Sequence, residues 1–298
     1  MPSRVRFCAV PLLSSLACMT LCSGSPFAVA AMHKRTDAAY YLKADPKAGD
    51  IVSDITYRVI ATHGPGMEDN VWQVPATGTY TILSSDSPGV IKWNVSVRMD
   101  GKMAIQDADG DYRDDGKTMC FKGKCSFTTD ASGPFFNPTF WGNPQGDLKP
   151  GMSWTVELAQ PWELGPPGKQ TVTVLSVDKL NGMVVLKREG QGVGSYEGKH
   201  DVALIMRDGK QYRVDVKHRN AHWVGQAVFK HGVVVSDELL CNTDVELSSS
   251  EVGTIQAQER PYMSLLQHPG AIENKGVLMS RVEDHYSARC PAALNDLR

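Results

Sequence analysis

The chain has 298 residues, 42% hydrophobic and 21% charged, a globular balance that excludes disordered, collagenous and coiled-coil classes. A formal net charge of −2 supplies no basic face, so nucleic acid is not an expected partner. Beyond the first residues no apolar run reaches the roughly 18 residues of a membrane-spanning helix.

Residues 1–30 have the build of a secretory signal peptide. Arg4 and Arg6 form a basic start, a mildly apolar stretch runs from Phe7 to Cys22, and Ala28-Val29-Ala30 is a small-x-small cleavage site. A lipoprotein signal would need Leu three places before the modified Cys, where Ser15 and Met19 stand instead. Cleavage would take Arg4 and Arg6 with it, moving the charge from −2 to −4, and no transmembrane anchor would remain. The expected location is therefore periplasmic or secreted. Cys120, Cys125, Cys241 and Cys290 would stay with the mature chain, an even number in an oxidising compartment. Cys120–Cys125 and Cys241–Cys290 are the preferred disulfides; the spacing suits zinc poorly.

After a leader over 31–46, period-2 alternation recurs. From Ile91 to Asp100 the apolar set Ile91, Trp93, Val95, Val97 and Met99 interleaves with polar residues, the signature of an antiparallel strand with one buried face. The stretch 51–61 behaves similarly, with Ile55, Tyr57 and Val59 on one side. Further strands are predicted at 78–84, 153–158, 171–177, 183–188, 201–206, 211–218 and 233–240. Asp100-Gly101, Asn181-Gly182 and Asp208-Gly209 are hairpin signals between them. Helical periodicity is nearly absent before residue 250. Lys47-Ala48-Gly49 and Gly64-Pro65-Gly66 are echoed 102 residues later by Lys149-Pro150-Gly151 and Pro166-Pro167-Gly168, and Asp100-Gly101-Lys102 is echoed 108 later by Asp208-Gly209-Lys210. The echoes predict two similar β units, 47–145 and 146–250. Ser248-Ser249-Ser250 reads as a linker, and 251–298, broken by Pro261, Pro269 and Pro291, as an irregular or partly helical extension. The expected fold is all-β and mainly antiparallel: a curved sheet, half-barrel or barrel.

Leu148-Lys149-Pro150-Gly151-Met152-Ser153-Trp154 carries a Leu-x-Pro-Gly-x-x-Trp pattern. With the strand pair that follows, the Gly-rich stretch 190–194 and the closing Gly232-Val233-Val234, it resembles the exported bacterial β proteins of Domain of Unknown Function 3108 and their half-barrel relatives. The resemblance spans roughly 47–245. Val228-Phe229 stands where the family usually has a Trp-Tyr pair. What the resemblance implies is a periplasmic curved sheet, and no chemistry.

Motifs that carry chemistry are sparse. Asp107, Asp109 and Asp111 sit at alternate positions in an acidic run and could curl around calcium weakly; Tyr112 and Thr118 occupy the places where an EF-hand loop needs Gly and Glu. Otherwise the run is a solvated, turn-forming loop. His218 and His222 would share a face of a strand but lie about 13 Å apart by strand rise, too far for one metal. Ser195 lacks the spacing of a nucleophile elbow, and the Gly-rich turn, with no helix behind it to receive a phosphate, reads as a flexible loop. Trp93 and Trp154 fall on the apolar sides of their strands. Two Pro/Gly-rich loops are apolar against custom: Phe135, Phe136, Phe140 and Trp141 in one, Trp162 and Leu164 in the other. Phe136, Phe140, Trp141 and Trp162 would either plug the open side of a curved sheet or form the lip of a ligand groove.

The expectation that follows is an exported, non-catalytic β protein that binds an apolar or amphipathic ligand, or an envelope protein partner, in the concavity of its sheet. Two alternatives are a secreted hydrolase whose site is assembled from scattered Asp, Glu and His, and an accessory envelope protein with no ligand.

Overall fold

The computed structural model describes residues 37–85, 90–99, 102–113, 118–121, 124–127, 133–159, 166–194 and 202–269. In chain order these form α1 (Ala38–Leu42), β1 (Ile51–His63), β2 (Asn70–Ser84), β3 (Val90–Met99), β4 (Lys102–Arg113), β5 (Thr118–Phe121), β6 (Lys124–Phe127) and α2 (Pro138–Trp141). There follow β7 (Ser153–Leu158), β8 (Gly168–Asp178), β9 (Met183–Gly192), β10 (Val202–Arg207), β11 (Lys210–Lys230), β12 (Val233–Ser249) and β13 (Gly253–Pro269). The expected signal peptide and Cys290 lie outside the described residues, as do Trp162 and Ser195.

All the strands join one antiparallel sheet in the order β6-β5-β4-β3-β2-β1-β13-β12-β11-β9-β8-β7, with β10 pairing β11 off that path. The all-β antiparallel expectation is met, and the sheet is open, ending in β6 and β7. One edge of the long β11 serves two neighbours: its first part pairs β10 and its second part β9. A register shift between His218 and Ala221 separates the two parts. Two hairpins turn on residues with positive φ at both central positions, Asp208-Gly209 and His231-Gly232, the geometry that matches strand twist.

One face of the sheet, called inner here, carries the core in three clusters. The first spans β7, β8, β9, β11, β12 and β13 with Val172, Leu186, Trp223 and Leu239, and is covered by Tyr41, Leu42, Phe140 and Trp141. The second lies over β1 to β4, around Ile82, Trp93, Val95 and Phe135. The third gathers Ile205, Val216, Leu247 and Ile255 beside Met67 of the β1–β2 turn. β1 and β13 are buried on both faces, since Val59 and Tyr262 on the other side are also excluded from water.

Hydrogen bonds show that the sheet curls at this third cluster. Four strands (β1, β13, β12 and β11) separate β2 from β10 along the ladder. Yet the Glu68 amide donates to Met206 O and Asn70 Nδ2 donates to Leu204 O, both at 2.8 Å. The tip of the β1–β2 hairpin thus bends over the inner face and meets the outer edge of β10.

Three expectations need correction. Residues 253–269 are no irregular extension: they form β13, which lies between β1 and β12 and joins the two expected β units into one sheet. Residues 107–113 of the acidic run, taken for a loop, lie in strand β4. Gly190 and Gly192, taken for a flexible turn, continue strand β9.

Candidate functional site

The apolar loop before β7 is a plug. Asn137 caps α2 by accepting from the Thr139 amide at 2.9 Å, and Pro138 supplies the fixed φ of the first turn. This one-turn helix delivers Phe140 and Trp141 to the core, where Trp141 is 2% exposed and packs edge-on against Phe229. Phe136 is buried against Phe229 as well. Of the two readings of this loop, Phe140 and Trp141 take the plug, while Phe136, buried as it is, also lines a cleft with Ala38, Leu42, Pro138 and Asn143.

Polar groups lock the plug down. Trp154 Nε1 donates to Trp141 O at 2.7 Å. Gln170 Nε2 donates to Phe140 O, while Gln170 Oε1 accepts from Trp223 Nε1 at 2.9 Å. The Arg188 guanidinium lies over the Trp141 ring, 4.4 Å from its centroid, and Arg188 Nη2 donates to both oxygens of Asp237 at 2.8 and 2.9 Å. Arg188 is 1% exposed, and its Nε and Nη1 have no hydrogen-bond partner among the described residues. Burial pushes the Asp237 carboxyl up to about 6 in spite of the Arg188 charge beside it. Two glycines make the room: a Cβ on Gly190 would sit 2.6 Å from Trp223 Cζ2, and one on Gly225 would sit 2.5 Å from Glu238 O and 3.1 Å from Arg188 Nε.

A second polar group crosses the middle of the inner face. Glu259 of β13 stands directly opposite Thr62 of β1 and Thr243 of β12. Thr62 Oγ1 donates to Glu259 Oε1 at 3.3 Å, and His218 Nε2 lies 3.7 Å from Glu259 Oε2. One strand position along β12, the Cys241 thiol lies 3.2 Å from Thr243 Oγ1, and burial raises its pKa to about 11. That thiol stays protonated at neutral pH, so the Cys–His–Glu grouping has no activated sulfur nucleophile.

Next to this row the inner face is less covered. Ile60 and Trp72 are register partners one step along β1 and β2 from Thr62 and Asn70. β3 begins to pair with β2 only at Ala76, so residues 70–75 of β2 form an open edge facing the edge of β10. Trp72, 47% exposed, lies on this face, whereas Val71 beside it and Val202 and Leu204 of β10 alternate to the other face, since Ala203 and Ile205 take the inward positions of β10.

The other expected site residues do not converge. Asp107, Asp109 and Asp111 lie along β4, where alternate residues are about 6.6 Å apart by strand rise. Asp109 accepts from Asn94 Nδ2 at 3.1 Å and Asp107 from Ser96 Oγ at 3.4 Å. Among the described residues no group of three His, Cys, Asp or Glu could hold a metal ion. His218 and His222 do not share a face as expected, because the β-bulge between them shifts the phase: His218 faces Glu259 and His222 faces water. Cys120 and Cys125 are direct register partners in the β5–β6 ladder, a placement within the Cα separation of a disulfide. Cys241 is a buried thiol in this structure, and Cys290, its expected partner, is outside the described residues.

The Glu259 row and the seam had no motif to announce them. Their signal was a charged residue at an inward position of an apolar strand, which becomes visible only once 253–269 is known to be a strand.

No family model matches the chain, and no curated protein matches it. Among solved structures it is similar to lipovitellin, in a structure of its lipid–protein interactions, at 10% identity and TM-score 0.33, over 78% of this chain and 26% of that one. The chain thus spans about a quarter of the length of lipovitellin. It is also similar to a loop L8 deletion form of OmpT, an outer membrane protein of Vibrio cholerae, at 10% identity and TM-score 0.22, covering 74% of this chain and all of that one. Neisserial surface protein A follows at 6% identity and TM-score 0.18, with 72% and 96% covered. Likenesses at TM-scores this low establish neither a shared fold nor a shared function.

Proposed function

We propose that this protein is an exported, non-catalytic binding protein that takes an amphipathic molecule onto the inner face of its sheet at the β2–β10 seam. The observation that carries this reading is Trp72, a large apolar side chain left half-exposed on the inner face at the open edge of β2, one step along that face from the buried Glu259 row. The exposed half of Trp72 alone leaves roughly 2 kcal/mol of burial unused, at about 25 cal/mol per Å². Thr62 and Glu259 on the adjoining row supply the polar end of the site. The signal-like segment 1–30 supports export, and the protonated Cys241 thiol supports a role in binding over thiol catalysis.

Titration of the purified protein with the neutral apolar fluorophore N-phenyl-1-naphthylamine tests the reading. Saturable binding is expected, weakened at least tenfold by Trp72→Ala. That position is about half exposed, so stability should change by less than about 1 kcal/mol. Absence of binding to the wild type, or undiminished binding in the variant, overturns it.

A further inference from the structure

Glu259 sets the chemistry of the polar end. Its side chain is 6% exposed, so its carboxylate is largely removed from water. A carboxylate offers about four acceptor sites, and a buried one is costly unless they are filled. Here Oε1 has one donor, Thr62 at 3.3 Å, and Oε2 has only His218 at 3.7 Å, beyond hydrogen-bond length. Among the described residues no lysine or arginine lies within 4 Å of it. Arg260 points to the opposite face by strand alternation, and Arg58 is four residues along β1 from Thr62, about 13 Å by strand rise. Ile60 and Trp72 lie one step further along the same face.

Resting on the binding reading above, we infer that the ligand carries a primary-amine or comparable cationic hydrogen-bond-donor head, received by the Glu259 carboxylate beside Thr62. An ammonium brings three donors to a group that lacks them and cancels its buried charge. A carboxylate or phosphate head would instead place like charge beside Glu259.

The experiment compares two fluorophore-tagged twelve-carbon chains that differ only in ending in a primary amine or a carboxylate, each competed against N-phenyl-1-naphthylamine. The amine is expected to bind the wild type at least tenfold more tightly. Glu259→Gln should abolish that preference, with the variant's urea midpoint and near-ultraviolet circular dichroism showing that it is folded, and a preference that survives in the folded variant overturns the inference. Equal affinity for the two chains, or preference for the carboxylate, with the neutral probe still bound by the wild type, overturns the inference and leaves the binding reading intact. Failure of all three probes to bind the wild type overturns both.

Discussion

Arg188 and Asp237 show what a single buried charge requires in this sheet. The guanidinium has an aromatic face on one side, a carboxylate on the other and a glycine opposite, so neither ion meets water. Arg188 is legible in the sequence only as an inward position of 183–188, and nothing in the pattern foretells its pairing with Asp237, 49 residues away. The pair has a consequence for pH. The folded pKa of Asp237, about 6, lies above the unfolded carboxyl value of 3.8, so the folded state holds the proton more tightly. Its contribution to stability is full below about 3.8 and is lost as pH rises through about 6. Urea unfolding should therefore show a loss of about 1 kcal/mol from this group between pH 5 and 7. Asp237→Asn should flatten that slope, and a slope unchanged in the variant would contradict the assignment.

At the scale of elements, the alternating strands are the legible part, and the misses share one cause. The stretch 91–100 has a clean apolar face and forms β3, over Val90–Met99. β13 has none: its inner face mixes Ile255, Ala257, Glu259, Pro261 and Met263, and its other face includes the buried Tyr262 and Ser264. A strand buried on both faces loses its period-2 contrast. Pro261 also argues against a central strand because it cannot donate to a ladder, and the β12–β13 register is interrupted between Leu240 and Thr243, opposite that proline. The glycines of β9 misled for a related reason. Gly190 is there for the close approach of Trp223, where a turn would have called on the freedom of its backbone. Gly190→Ala should force the indole off Gln170 and cost about 1–3 kcal/mol by overpacking. Trp141→Ala should cost about 3–5 kcal/mol by emptying the plug. Both are read from chemical-denaturation midpoints, and a change under about 0.5 kcal/mol in either would contradict the packing described.

For the molecule as a whole, one open sheet folds its inner face onto its own loops in two places and leaves a third less covered. The plug loop was legible because loops seldom carry four aromatic residues; the covered face it would meet was not, since that depends on the partner strands of β9 and β11. The curl that brings β2 to β10 was less legible still. It rests on Asn70 and Glu68 reaching Leu204 and Met206, contacts 134 and 138 residues apart in a chain whose turn chemistry predicts only neighbours. Beside that curl Trp72 stands half-exposed on the inner face, one step along from the buried Glu259 carboxylate, and binding at this place is the central claim. Native mass spectrometry of the protein purified from its own host, without detergent, tests it most directly. The account predicts a population heavier than the polypeptide by a few hundred daltons, releasing on activation an amphipathic molecule; a bare polypeptide mass, under conditions that hold a control lipid complex together, would contradict it.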